Sequence, residues 1–450
     1  MSATMTVIRL FLSRLFTQRQ AWLLPVAAFA VVSALSLSVA SGVRFFFTLD
    51  DAIVSETGAI YMILAGLAAA LLVVPVASLA GAAARLLARR RDERLSSLRL
   101  LGASALLLRT LTIVEASVLA IIGSLAGVLG YLVLMPVAGL LHFAGGPIGV
   151  AGMWLGFPGM LAVLAGIVLI GIVASIGGLR SVEITPLGVR TRQRPARLHW
   201  LRIVVAIVLL IAAQLFANTL GAGGIMIAVV MILAAFAVPM VALHFIGPWL
   251  VKLVTRWRLR RANTASALVA ARAVLESPQQ AWAQIGGVAL TTYIGVVGGA
   301  GMSLANMANQ GQNSAAMSPV EQYLVADLRT GVLLTMVIAF LLSACSVAIT
   351  QTAQVLDRAP LYQGLHRIGM SSAQLESTRR RAVLGPLWIV LVFTLVAAVA
   401  TALPILGIAV VVSPLSMLVV AVCLALGVGL IWAGVQSSAP TLRNVITNQS

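Results

Sequence analysis

The sequence predicts an all-α membrane protein with ten transmembrane helices, built as two four-helix repeats bridged by two further helices. The first observation is composition: 61% of the 450 residues are hydrophobic and only 9% are charged, a balance foreign to soluble domains. The second is a series of apolar runs, each close to the roughly 20 residues that a helix needs to cross a bilayer. The third is a charged segment that interrupts the apolar runs once in each half of the chain.

The apolar runs define the predicted spans in chain order. No stretch between them reaches the length of an independent folded domain, which rarely falls below about 40 residues. The ten predicted spans are 21–43, 59–84, 106–134, 157–179, 201–219, 223–248, 283–304, 329–353, 383–403 and 411–435.

The basic residues set the predicted orientation. Of the 30 lysines and arginines, all but Arg44 and Arg329 fall at span ends on one side of the membrane. Cytoplasmic loops carry such an excess, so we expect a protein of the cytoplasmic membrane with both termini in the cytoplasm. The net charge of +18 is then mainly a topology signal, with attraction to anionic membrane lipids as a second role. Nucleic-acid binding is not expected. The outward segments 48–58 and 305–328 are predicted to be polar loops.

The charged segments divide the chain into repeats. Segment 91–104 lies between the second and third spans, and segment 358–372 lies between the eighth and ninth. The predicted units are therefore a first repeat over 1–199, two bridging spans over 200–262, and a second repeat over 263–450. Both repeats have the same orientation, unlike the inverted repeats of many secondary transporters.

The two segments share a pattern that is typical of a short helix followed by a stop. Leu98, Leu101, Gly102 and Ser104 align with Leu365, Ile368, Gly369 and Ser371, and Arg91 aligns with Arg358. In the first copy Arg94, Leu98 and Leu101 share one helix face. Gly102 suits a left-handed helix stop and Ser104 suits the cap of the next helix. A repeated helix favours two copies of one soluble partner over an ordinary surface loop.

The second copy departs from the first in charge. Asp92, Glu93, Arg94 and Arg99 stand opposite Ala359, Pro360, Leu361 and His366. Proline lacks a backbone N–H and fits only the first turn of a helix. We therefore expect the second helix to begin near Pro360, to be shorter, and to offer a less charged surface.

At these residues the chain resembles a known family, the FtsX/MacB-like permeases of ABC transporters. The resemblance rests on the run from Arg90 and Glu93 to Leu101-Gly102-Ala103-Ser104, then Glu115-Ala116 in an apolar helix, and on the basic Pro-Leu segment 180–187. The second half is more diverged, since Ala382 stands where Glu115 would recur. Ten spans resemble the duplicated subgroup, in which one chain supplies both permease halves.

The resemblance implies a partner and a cargo. Such permeases dock an ATPase dimer on the helix between spans 2 and 3, so it implies two copies of a cytoplasmic ABC ATPase, which would bind the ATP and Mg²⁺. It also implies export or extraction of an amphipathic peptide, lipid or hydrophobic drug. The implied docking residues are Arg91, Glu93, Arg94, Leu98, Leu101, Gly102, Ala103, Ser104, Arg358, Leu365, Ile368, Gly369, Met370 and Ser371.

The chain is not expected to be an enzyme or to hold a cofactor. A P-loop needs glycine before its lysine, whereas the single lysine, Lys252, follows Val251. Two alternatives stay open: a non-transporting mechanotransmitter that regulates an envelope protein, and an ion-driven secondary transporter. The latter needs ionisable residues within the spans, where only Glu115 is well inside, and a salt bridge with Arg85 is the simpler interpretation.

Three smaller features carry expectations of their own. Arg44 to Phe47 at the outer end of span 1 fits an aromatic membrane anchor or, alternatively, a contact for an amphipathic substrate. Segment 263–280 has the pattern of an interfacial helix before span 7. The Gly123-x-x-x-Gly127 spacing predicts close helix packing.

Overall fold

The computed structural model describes most of the apolar body of the chain. It covers residues 19–48, 60–73, 75–76, 79–80, 83, 105–179, 225–311, 319–357, 359–412 and 414–436.

Within these residues the protein is an all-α membrane protein. Its helices are α1 (Arg19–Phe47), α2 (Ile60–Val73), α3 (Ala105–Gly139), the four-residue α4 (Gly149–Gly152), α5 (Phe157–Leu179), α6 (Ile225–Arg260), α7 (Ala265–Glu276), α8 (Pro278–Gly311), α9 (Pro319–Asp357), α10 (Ala359–Arg367), α11 (Ser372–Val412) and α12 (Pro414–Gln436).

Among the described residues, four helical segments are long and apolar enough to cross a bilayer: Trp22–Phe47, Ile113–Gly139, Ala326–Val355 and Ser372–Ala400. Four shorter apolar segments accompany them, in α2, α5, α8 and α12. The predicted span 201–219 lies outside the described residues, whereas each of the other predicted spans overlaps a described helix. The number of membrane crossings therefore stays a prediction.

The sequence predicted an outer loop over 305–328, and the structure shows that this range is too long. Helix α8 continues to Gly311 and α9 begins at Pro319, so most of the segment is helical. The asparagine-rich end of α8 and the polar first turns of α9 carry no hydropathy signal, which is why the sequence ended both spans too early.

A β-hairpin joins α3 to α5, where the sequence predicted only a connection between spans. Strand β1 (His142–Phe143) pairs antiparallel with β2 (Gly146–Pro147). Its two turn residues, Ala144 and Gly145, have φ angles of 53° and 82°, as a tight two-residue hairpin turn requires. We call the end of the helix bundle that carries this hairpin the hairpin end. The opposite end, which carries α10 and the arginines of α6 and α11, is the basic end.

Close packing of α3 on α1 holds the first half together. A Cβ atom at Gly127 would lie 2.5 Å from Ser33 Cβ and 2.7 Å from the Ala30 carbonyl oxygen, and Gly123 approaches Val26 in the same way. The buried hydroxyls of Ser33 and Ser124 are 3.2 Å apart and hydrogen-bonded. The predicted role of the Gly-x-x-x-Gly spacing in helix packing is confirmed, because only glycine lets the two backbones approach so closely.

Helices α2 and α9 contribute to both of the two largest apolar cores among the described residues. The first core is built on α1, α3 and α5 and receives Leu72 of α2 and Leu342 of α9. The second is built on α8, α9, α11 and α12 and receives Leu71 of α2. Helices α2 and α9 therefore form the seam between the two cores.

Candidate functional site

The second of the two repeated segments is a short helix followed by a turn. The predicted helix 358–372 is too long: α10 covers only Ala359–Arg367, and α11 already begins at Ser372. The expectation that the helix begins near Pro360 is confirmed. The first segment, with Arg91, Glu93, Arg94, Leu98, Leu101, Gly102, Ala103 and Ser104, lies outside the described residues, as does Arg358.

The turn after α10 stops one helix and starts the next. Gly369 has a φ angle of +104°, a left-handed conformation that favours glycine. The Met370 amide donates to the Leu365 carbonyl at 3.0 Å and the Gly369 amide donates to the His366 carbonyl at 3.0 Å. These bonds satisfy the last carbonyl groups of α10 in a Schellman arrangement.

Ser371 caps α11 from the other side of the turn. The Gln374 amide donates to Ser371 Oγ at 3.3 Å, and the Ser371 amide donates to Gln374 Oε1 at 3.0 Å. This reciprocal pair is a capping box. The sequence predicted that Gly102 ends one helix and that Ser104 caps the next. Their aligned residues Gly369 and Ser371 have these two roles in the second segment.

The apolar residues of this segment face in two directions. Leu361, Tyr362 and Leu365 line a small cavity of about 70 Å³ against α7, α9 and α11. Ile368 projects from the turn with 86% of its surface exposed. Leu365 and Ile368 therefore lie in different surroundings, whereas their aligned counterparts Leu98 and Leu101 were predicted to share one helix face. Ile368 is thus an exposed apolar side chain on the hydrogen-bonded turn between α10 and α11.

Buried Arg379 ties the base of this segment to the end of the chain's last described helix. Its Nη1 atom donates to the Val435 carbonyl of α12 at 3.0 Å, and its Nη2 atom donates to Glu376 Oε1 at 2.8 Å. The first turns of α11, which follow the turn that carries Ile368, are thereby hydrogen-bonded to the end of α12.

A polar contact at the hairpin end joins three parts of the chain. Asp327 of α9 is buried, and its Oδ2 atom accepts from the Tyr61 hydroxyl at 2.6 Å and from the Ala144 amide at 2.7 Å. The contact joins α2, the β-hairpin and α9. Sequence reasoning missed it, because Tyr61 and Asp327 are 266 positions apart and neither belongs to a motif.

Aromatic side chains surround this contact. Phe46 stacks on Tyr61 at 5.9 Å between ring centroids and meets Phe143 edge-to-face at 5.1 Å. Phe45 and Phe46 pack against the cluster around the hairpin, and Arg44 donates to the Trp154 carbonyl. Phe45 and Phe46 are thus partly buried against the hairpin cluster, and the expected membrane anchor stays a prediction for this segment. Phe47, 56% exposed, still suits that role.

Removing the Asp327 carboxylate should destabilise the fold. We expect Asp327→Leu to lower the free energy of unfolding by about 2–4 kcal/mol, because the buried Tyr61 hydroxyl and the half-buried Ala144 amide lose their acceptor, and an unsatisfied buried donor costs about 1–3 kcal/mol. Asp327→Asn should cost less, since its amide oxygen still accepts a hydrogen bond. Thermal unfolding in detergent measures both variants, and equal losses would show that the acceptor is not what matters.

Glu115 lies within α3 and is buried, 9% exposed. Its proposed partner Arg85 lies outside the described residues, so the predicted salt bridge stays a prediction. Within the described residues no group of three or more histidine, cysteine, aspartate or glutamate side chains could hold a metal ion.

Comparison with models of known protein families gives no match, and comparison with curated proteins gives none either. The family of this chain therefore stays an inference from its own residues.

Proposed function

We propose that the chain is the membrane permease subunit of an ABC transporter of the FtsX/MacB-like type. In this proposal a separate ATPase dimer, which binds the ATP and Mg²⁺, drives export or extraction of an amphipathic peptide, lipid or hydrophobic drug. The basic end faces the cytoplasm. The observation that carries the proposal is the repeated charged segment, whose second copy is a capped helix–turn that presents Ile368.

The path of α9 supports a mechanical role for this segment. Helix α9 runs from Pro319 to Asp357. Its part from Asp327 at the hairpin end to Asp357, two positions before α10 begins, is roughly 45 Å long at about 1.5 Å per residue. It also lies in the seam between the two cores. A push on α10 would therefore reach the hairpin end along a single rigid element, where it could shift α9 against α2 and the hairpin.

The position of α2 supports the proposed repeat. Helices α2 and α9 lie in the second spans of the two predicted repeats, each comes before a charged segment in the sequence, and both contribute to the seam. Two related units that meet through their second helices would place both docking segments beside the same interface. Movement of an ATPase dimer beneath them would then open or close the seam.

Copurification tests the proposal. We expect the chain, extracted from its native membrane in mild detergent, to carry an ATPase with a P-loop, and we expect the chain alone to hydrolyse no ATP. Recovery of the intact chain without any ATPase would contradict the proposal. If the ATPase is present but no cargo moves, and an envelope hydrolase changes activity instead, the complex is a mechanotransmitter.

The two docking segments should contribute unequally. Glu93 belongs to a charged first segment, whereas Gln363 belongs to a second segment whose aligned positions are mostly uncharged. We expect Glu93→Arg to reduce stimulated ATP hydrolysis more than Gln363→Arg, because it reverses a charge at the more polar surface. Hydrolysis by the reconstituted complex measures the difference, and equal losses from the two variants would refute the asymmetry.

A further inference from the structure

The basic end contains an open cavity of about 690 Å³ between α6, α7 and α11. This volume falls in the range of about 300–1,000 Å³ that is typical of small-molecule sites. Four arginines and two tryptophans line it, namely Arg258, Arg261, Arg380, Arg381, Trp257 and Trp388.

Neighbouring groups hold two of these arginines in place. Arg381 Nη1 donates to Thr264 Oγ1 and to Ser266 Oγ, both at 3.0 Å. The guanidinium carbon of Arg261 lies 3.9 Å from the centre of the Trp257 ring, a cation–π contact. The wall of the cavity is therefore organised by hydroxyl and aromatic partners, which leave the positive charge of both guanidinium groups uncompensated.

The other two arginines add further positive charge. In the part of the chain that the structure describes, no aspartate or glutamate lines the cavity, and neither Arg258 nor Arg380 forms an ion pair with a carboxylate. Four guanidinium groups facing one space repel each other unless an anion joins them. The charges therefore favour an anionic occupant, and guanidinium groups bind phosphate oxygens with matching geometry.

The location of the cavity identifies the kind of anion. It lies where the apolar body of α6 and α11 gives way to the basic end, and Trp257 and Trp388 are 52% and 57% exposed there. Exposed tryptophans at such a boundary are typical of the lipid headgroup level of a membrane. Apolar Leu384 and Pro386 complete the lining, as a bound acyl chain would require.

We propose that this cavity binds the headgroup of an anionic phospholipid from the leaflet at the basic end. Arg258 and Arg380 contact its phosphate, while Trp257 and Trp388 contact the glycerol and the first carbons of the acyl chains. The bound lipid would bridge α6 and α11, which belong to the bridging region and the second predicted repeat. This inference does not depend on the proposed ATPase partner.

Native mass spectrometry of the full chain in detergent tests the proposal. Delipidated protein is mixed with phosphatidylglycerol or with phosphatidylcholine of the same acyl chains. We expect preferential retention of phosphatidylglycerol, and a loss of about 30-fold in its affinity in the double variant Arg258→Gln/Arg380→Gln, because each arginine near an anionic surface contributes a factor of about five. The double variant Arg258→Lys/Arg380→Lys keeps the charge and should retain most of the binding.

A matched control removes two arginines from helices that border the cavity, without changing a residue that lines it. Arg256 of α6 and Arg272 of α7 are exposed and lie outside the lining, so Arg256→Gln/Arg272→Gln should retain phosphatidylglycerol. Equal loss in both glutamine pairs would overturn the proposal, as would equal retention of the two lipids. If glycerol 3-phosphate displaces the lipid at similar concentration, the site recognises a soluble phosphate and the lipid assignment is wrong.

Discussion

Replacing Ile368 with aspartate will detach the proposed ATPase from the permease. Ile368 is 86% exposed on the turn after α10, so its substitution removes no contact within the chain's own core. Burial of such a side chain at an interface contributes about 1.5–3 kcal/mol, and a carboxylate placed there must also lose its hydration. We expect at least a tenfold fall in ATPase retained by the detergent-solubilised protein.

The control for this variant is Leu268→Asp. Leu268 lies on the neighbouring helix α7 and is 47% exposed, so the variant introduces the same charge at the same end of the bundle. It should retain the ATPase, and Ile368→Met, which keeps an apolar side chain, should retain it too. If Ile368→Asp and Leu268→Asp lose the ATPase equally, the effect is general to the basic end and the docking role of the turn is wrong.

Replacing Gly127 with alanine will destabilise the first half of the bundle. The added methyl group would lie 2.7 Å from the Ala30 carbonyl oxygen, which is part of the α1 backbone and cannot rotate away. Helices α1 and α3 must then separate, and overpacking of this kind costs typically about 1–3 kcal/mol. We expect the midpoint of thermal unfolding in detergent to fall.

Gly166 of α5 provides a control, because the same substitution there should not lower the midpoint of thermal unfolding. A Cβ atom there would meet no atom within 4 Å, so Gly166→Ala should leave the midpoint unchanged or raise it, because alanine is the better helix former by about 1 kcal/mol. The two variants make the same chemical change in two helices. A rise in the midpoint with both variants would show that the close approach of α1 and α3 does not limit stability.

The sequence predicts features that depend on local residues. Apolar runs located the helices, because hydropathy is a property of contiguous segments. Pro360 marked the start of α10, and the Gly-x-Ser pattern marked the stop and cap that Gly369 and Ser371 provide. The spacing of Gly123 and Gly127 indicated a packing face. In each case one or a few neighbouring residues carry the whole signal.

Features that depend on distant residues could not be predicted in this way. The Asp327 contact unites residues from three parts of the chain, and a single sequence gives no sign of their proximity. The hairpin turn places Ala144 at a positive φ, although alanine does not favour that conformation. The sequence also carried no sign that Phe45 and Phe46 would pack partly against a hairpin from another part of the chain.

Site-specific crosslinking in native membranes tests the docking role of the turn most directly. A photoreactive amino acid at position 368 should form an adduct with one protein that contains a P-loop, identified by mass spectrometry after purification of the crosslinked chain. The same group at position 268 should form no such adduct. Efficient incorporation at 368 with no ATPase adduct, or equal ATPase adducts from 368 and 268, would contradict the account.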